Sequence, residues 1–203
     1  MSLIDVLRSL RIRIRKIKIS LSGRPESDLS FKQQIILEVG HKASCDVLIE
    51  TGTLFGDTVN VARNYFDSVV SIEISRDFYE GCKQRFRKNN NVFLHYGDSS
   101  KILKEILKSI KYERAVFWLD AHCAGVGTMQ GTTRCPVLGE LDALVSHSRE
   151  DNCILIDDAD CFGLDDHYPS IDEVFSILKN INANYNISIK NNIIMAIPSH
   201  IDI

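Results

Sequence analysis

Several things are missing from this chain of 203 residues, and each absence narrows what it can be. No uninterrupted apolar run reaches the roughly 18 residues that a membrane-crossing helix needs. No continuous apolar stretch follows the charges near the N-terminus, which argues against a secretory signal. None of the six cysteines (Cys45, Cys82, Cys123, Cys135, Cys153 and Cys161) forms a CxxC pair. Their scatter through apolar segments fits a reducing compartment, where a free thiol packs as a small hydrophobe, better than a disulfide framework or a zinc knuckle. The phosphate-cradling pattern GxxxxGK[ST] is absent, and so is the GxGxxG run of dinucleotide-binding proteins. There is no internal repeat and no low-complexity tract.

Charge is unevenly spread. Residues 1–24 carry Arg8, Arg11, Arg13, Arg15, Lys16, Lys18 and Arg24 against the single acid Asp5, a net +6. The whole chain is −3, so residues 25–203 carry −9. An acidic body of this kind argues against a nucleic-acid-binding surface. The basic arm fits an anionic lipid, a polyanionic glycan, a protein partner or a second subunit. The plainer and preferred reading is a solvated helix face with Leu3, Val6, Leu7 and Leu10 turned inward. Residues 1–29 are therefore read as a basic arm and polar connector, and residues 30–203 as one domain.

Within that domain, apolar strands and amphipathic helices alternate. Ser30 is placed to cap a helix over Phe31–Val39. Strands are expected at Asp46–Glu50, Ser68–Ile74, Val92–Tyr96, Ala115–Leu119 and Cys153–Ile156. Helices are expected at Thr58–Phe66, Arg76–Lys88, around Ile102–Ile110, at Pro136–His147 and at Ser170–Ile181. Tyr185–Ile189 and Ile193–Ile197 read as an antiparallel pair around the turn Asn191-Asn192. Continuous apolar strands separated by helices imply a three-layer, doubly wound α/β fold whose mostly parallel sheet is covered on both faces.

In open sheets of this type, ligands bind beyond the carboxyl ends of the strands. Glu50, Glu73, Asp98, Asp120 with His122, and Asp157 with Asp158 all fall there. One such acid is usually a cap or a solvated loop residue. Five strands in succession presenting one is a stronger pattern. The first strand runs into Glu50-Thr51-Gly52-Thr53-Leu54-Phe55-Gly56-Asp57-Thr58, a glycine turn opening a helix. Gly52 can adopt backbone angles closed to other residues and lets a ligand approach the main chain. A carboxylate-lined mouth repels a pyrophosphate but suits a ribose and a cationic ligand.

On these residues the chain resembles the class I S-adenosylmethionine-dependent methyltransferases. Glu50-Thr51-Gly52 with Gly56 resembles their glycine loop in a variant form. Glu73 matches the acid that holds the ribose hydroxyls, and Gly97-Asp98-Ser99 the segment that edges the adenine. The resemblance covers residues 45–197 and implies a seven-stranded sheet with a reversed last strand. It implies cofactor contacts from Glu50, Thr51, Gly52, Thr53, Gly56, Asp57, Thr58, Glu73, Asp98, Ser99 and Asp120.

A narrower resemblance is to the metal-dependent O-methyltransferases that act on macrolide sugars and catechols, carried by Leu119-Asp120 and Ile156-Asp157-Asp158. It implies that Asp120, Asp157 and Asp158 bind Mg²⁺ or a similar ion, whose open positions take vicinal substrate hydroxyls. The other reading is that Asp157 and Asp158 cap the following segment while Asp120 faces solvent. Asp120-Ala121-His122 departs from that family's pattern by placing a histidine where a second acid is expected. His122 suits a general base, a metal ligand or a hydrogen-bonded loop residue. Residues 121–135 read as a lid, with Arg134 directed to an acidic acceptor or paired with Glu140. His167-Tyr168-Pro169 is placed to line the acceptor pocket, and Trp118 to pack in the core.

The resemblance thus implies an enzyme that O-methylates a hydroxyl of a sugar, glycan or other small molecule in a bacterial cytoplasm, as in surface-polysaccharide synthesis. The alternatives are a metal-independent small-molecule methyltransferase and a non-catalytic binding module of the same fold. A nicotinamide-dependent dehydrogenase ranks last.

Overall fold

The computed structural model describes residues 30–120, 135–147, 149–164 and 168–203. Helix α1 (Phe31–Lys42) starts as its sequence requires. The Ser30 hydroxyl accepts the N–H of Gln33, and the Gln33 side chain accepts the N–H of Ser30. This reciprocal cap satisfies two donors that a helix start otherwise leaves open.

Beyond it, strands β1 (Val47–Thr51), β2 (Ser68–Glu73), β3 (Val92–Tyr96), β4 (Ala115–Leu119) and β5 (Cys153–Ile156) alternate with helices. The helices are α2 (Asp57–Ala62), α3 (Arg76–Phe86), α4 (Ser99–Ser109), α5 (Val137–Val145) and α6 (Ile171–Ile181). Strands β6 (Tyr185–Lys190) and β7 (Ile193–Pro198) close the chain. The sheet order is β3-β2-β1-β4-β5-β7-β6. β1 to β5 pair in parallel, and β7 runs antiparallel to both β5 and β6. The expected reversed last strand is thus present, lying one strand in from the edge. Asn191 and Asn192 both have positive φ (55° and 65°), as the tightest hairpin turns demand.

Because side chains alternate along a strand, each central strand feeds two cores. Val47 and Ile49, with Phe117 and Ile154, face Leu103, Leu141 and Leu178 of α4, α5 and α6. Leu48, Val116, Trp118 and Leu155 face Ile36, Val59 and Phe86 of α1, α2 and α3. The three layers follow from this alternation, and Trp118 packs in the core as expected.

Chain direction changes sides between β1 and β4. From β1 the sheet grows outward through β2 and β3. From β4 it grows the other way through β5. Helices that leave neighbouring strands in opposite directions open a crevice at the carboxyl ends of β1 and β4.

Candidate active site at the carboxyl edge of the sheet

The glycine loop leaves β1 with Gly52 at φ 84° and Gly56 at φ 75°. Gly56 is required on a second count: a Cβ there would lie 2.6 Å from the Phe86 ring. The loop is held from below and from the side by the two acids expected to serve the cofactor. Glu50 is 2% exposed and lies beneath the loop. The Ser71 hydroxyl donates to it at 2.6 Å, and Thr53 donates in turn to Ser71 at 2.6 Å. Burial lifts the Glu50 carboxyl to about 8, against the hydroxyls of Ser71 and Thr58 and with the help of Asp120 and Glu73. Glu73 accepts two backbone N–H groups, from Leu54 of the loop at 2.8 Å and from Ser75 at 2.7 Å. Each carboxylate oxygen keeps a further lone pair for a ligand hydroxyl.

Asp98 caps α4, taking the Ser100 N–H at 3.1 Å and the Ser100 hydroxyl at 2.6 Å. Asp57 pairs with Arg85 at 2.9 Å and faces solvent. The strand-end acids are therefore not one set. Glu50 and Glu73 are satisfied by N–H and hydroxyl donors, Asp98 by the same kinds together with the Lys101 ammonium at 3.6 Å, and all three shape the loops that surround the crevice.

The remaining three converge. Asp120, Asp157 and Asp158 each offer a carboxylate oxygen, and these atoms lie within 4.8 Å of one another. Parallel pairing of β4 with β5 puts Leu119 opposite Ile156, so the residues that follow emerge side by side. The Asp157 N–H reaches the Leu119 carbonyl at 3.1 Å, and the Asp120 N–H reaches Thr51. Asp158 sits in the left-handed region (φ 53°, ψ 49°), which Asp tolerates better than most residues. Its N–H donates to Asp157 Oδ1 at 2.9 Å. Asn192 of the β6–β7 turn clamps the next two residues, accepting the N–H of Ala159 and of Asp160. The reversed strand thus braces the loop that carries the two aspartates.

Two residues that the sequence did not assign to the site complete the edge. Lys32, in the first turn of α1, directs its ammonium to Asp157 Oδ2 and lies 3.8 Å from Asp158. Burial alone would lower its pKa. The hydrogen bond to Asp157 and the charges of Asp157, Asp120 and Asp158 outweigh this and raise it. No local signal marks Lys32, because it reads as an ordinary helix lysine.

Glu140 is the second. Expected only as a partner for Arg134, it is buried on α5 and receives the Ser99 hydroxyl at 2.5 Å. Burial lifts its carboxyl to about 7, opposed by the Ser99 and Thr51 hydroxyls. A signal for it existed: Glu140 falls on the helical stripe of Val137, Leu141 and Leu144, where an acid is out of place.

The trio opens into a recess walled by Val137, Phe162 and Tyr168. Phe162 and Tyr168 meet edge to face, with ring centroids 5.5 Å apart. Tyr168 thus lines the recess as expected, while His122, Arg134, His167 and the basic arm lie outside the described residues.

The donor set fits a divalent cation. It consists of hard carboxylate oxygens brought together at a distance that repels without positive charge, and a cationic side chain has been drawn to them.

No protein-family model and no curated protein sequence matches the chain. Solved structures do. An O-methyltransferase from Bacillus cereus in complex with SAH (S-adenosylhomocysteine) shares 14% identity at a TM-score of 0.56, covering 92% of this chain and 90% of that one. The SAH-bound Podospora anserina methyltransferase PaMTH1 gives 14% and 0.56, covering 94% and 86%. The SAM-bound O-methyltransferase TomG of Streptomyces achromogenes, involved in tomaymycin synthesis, gives 12% and 0.56, covering 93% and 89%. With its strand order, its reversed β7 and these neighbours, the chain has the Rossmann-like fold that these methyltransferases share.

Proposed function

We propose that the protein is an S-adenosylmethionine-dependent O-methyltransferase that acts on a hydroxyl of a sugar or glycan with the help of a divalent cation such as Mg²⁺. The observation that carries this reading is the convergence of Asp120, Asp157 and Asp158 beside a glycine loop at the switch point of the sheet. The cofactor side of the crevice belongs to Thr51, Gly52, Thr53, Gly56, Thr58 and Glu73, with Glu50 holding the loop from beneath and Asp57 tying it to α3. Asp98 and Ser99 edge the adenine. The carboxylates of this half favour a sulfonium and an ammonium group over a pyrophosphate.

On the acceptor side, the three aspartates hold the cation, and Phe162 and Tyr168 offer apolar faces to a sugar ring. The cation supplies Lewis acidity, lowering the pKa of a substrate hydroxyl. The chain's residues do the rest. They hold the hydroxyl oxygen in line with the methyl donor, which is a large part of catalysis in a two-substrate displacement. One O–CH₃ bond forms as one S–CH₃ bond breaks, and the hydroxyl proton passes to a base, for which His122 is the candidate. A small-molecule acceptor, a bacterial cytoplasm and a basic arm used in contacts between subunits complete the proposal. No helix among the described residues is long and apolar enough to cross a membrane.

A metal-independent methyltransferase is the second reading, favoured by Lys32, whose ammonium already supplies positive charge to the trio. Calorimetry with S-adenosylhomocysteine tests the shared part: saturable binding is expected, and no heat at millimolar ligand rules out both readings. Anomalous scattering from Mn²⁺-soaked crystals then separates them. An ion between the three carboxylates is expected, and its absence removes the metal-assisted form.

A further inference from the structure

Asp157 is the innermost of the three aspartates, its side chain 1% exposed. One of its oxygens, Oδ1, is committed to the N–H of Asp158. The other, Oδ2, is held by Lys32. Lys32 itself is 48% exposed, so its flexible stem can carry the ammonium out to water while Asp157 stays in place.

We infer that Lys32 is a tethered cation of the acidic trio, and that a divalent ion enters by displacing it from Asp157 Oδ2. The inference rests on the metal-assisted reading above, and it adds a residue that decides which cation the site admits. Two positive charges on one carboxylate oxygen repel, so the two occupants exclude each other at Oδ2. A sodium or potassium ion carries no more charge than the ammonium it would replace, and lacks the tether. It gains nothing by exchange. A divalent ion that engages all three carboxylates does gain, because its doubled charge acts on three partners where Lys32 hydrogen-bonds one. Lys32 therefore excludes monovalent ions and sets the concentration at which a divalent ion takes over. Release also frees an amine at the mouth of the recess, beside the ion that displaced it.

Two measurements on the full chain test this. Manganese binding is followed by the paramagnetic resonance signal of free Mn²⁺ for wild type, Lys32→Gln and Lys32→Arg. Lys32→Gln is expected to bind Mn²⁺ about tenfold more tightly than wild type, while Lys32→Arg, which keeps the charge, does not gain. In wild type, saturating Mg²⁺ is expected to speed acylation of the Lys32 amine about fivefold, read by mass spectrometry, with the exposed Lys88 unchanged. The labelling needs no variant, so a folding defect in Lys32→Gln leaves the test intact. Equal Mn²⁺ affinity in wild type and Lys32→Gln makes Lys32 a bystander and leaves the metal reading standing. Weaker binding in Lys32→Gln makes it a support of the site. Either result overturns the inference, as does unchanged labelling. No Mn²⁺ binding to wild type or variant overturns the inference together with the metal-assisted reading.

Discussion

The two halves of the carboxyl edge satisfy their acids by opposite means. On the β1–β2 side, Glu50 and Glu73 are met by neutral donors: two hydroxyls for Glu50, two backbone N–H groups for Glu73. On the β4–β5 side, three aspartates crowd together and draw in a lysine from another layer of the fold. Neutral donors fix a carboxyl in place and leave the loop around it rigid. Converging carboxylates that must share a space call for a cation, and a cation can be exchanged. The first half is built to hold a shape, and the second to hold something that comes and goes.

The sharpest way to break this contrast is to remove one charge from the second half. Asp157→Asn is expected to cut methyl transfer at least about 100-fold while leaving S-adenosylhomocysteine affinity within about twofold, measured by turnover and calorimetry. Activity at the wild-type level would mean that the trio is structural.

A smaller effect is expected from Gly56→Ala in the first half. The added methyl meets Phe86 and sits on a backbone at φ 75°. A loss of about 2–3 kcal/mol in chemical denaturation should result, with weaker cofactor binding. An unchanged midpoint would show that the loop is not rigid.

Next comes Glu73→Gln. The amide keeps one acceptor oxygen and turns its other end into a donor facing an N–H, so one of the two ties that Glu73 makes, to Leu54 of the loop and to Ser75 after β2, is lost. About tenfold weaker S-adenosylhomocysteine binding is expected, with acceptor KM and Mn²⁺ affinity unmoved. A change in Mn²⁺ affinity would show that the halves are coupled.

The finest test is pH. The Glu50 carboxyl is raised in the folded state from 4.5 to about 8. A raised folded pKa means the fold favours the protonated form. Its contribution is fully present below about 4.5 and is lost as pH climbs towards about 8. Wild-type stability is therefore expected to fall across this window, and Glu50→Gln to flatten the fall by a few kcal/mol, as followed by denaturation midpoints. Glu140, raised to about 7, keeps a residual slope in the variant. An unaltered slope in Glu50→Gln would place the proton elsewhere.

Much of the scaffold is legible in the sequence. Val92–Tyr96, Ala115–Leu119 and Cys153–Ile156 form at the expected bounds, because a short apolar run between polar breaks favours a strand, buried in the two central ones and partly exposed in Val92–Tyr96 at the sheet edge. The Ser30 cap and the Asn191-Asn192 turn carry their chemistry in adjacent residues, and both are present. Helix ends were less exact. The helix expected at Thr58–Phe66 spans Asp57–Ala62: it starts one residue earlier, directly after Gly56, and the turns after Ala62 end it sooner. At the site, the aspartates were readable as strand-end residues. Lys32 and Glu140 were not, for different reasons. Glu140 left a trace as an acid on an apolar stripe. Lys32 left none, since its partner Asp157 is 125 residues away.

The sequence by itself determined the alternation of strand and helix, the glycine turn, and the placing of acids at strand ends. These depend on neighbours a few residues apart, through periodicity, capping and turn chemistry. Only the tertiary structure decided which acids would stand alone and which would meet. That choice depends on sheet order: pairing β4 with β5 brings Asp120 beside Asp157 and Asp158, and packing α1 over the same edge delivers Lys32. Electrostatic energy falls off with distance in space, so the charge that completes the trio came from the far end of the domain.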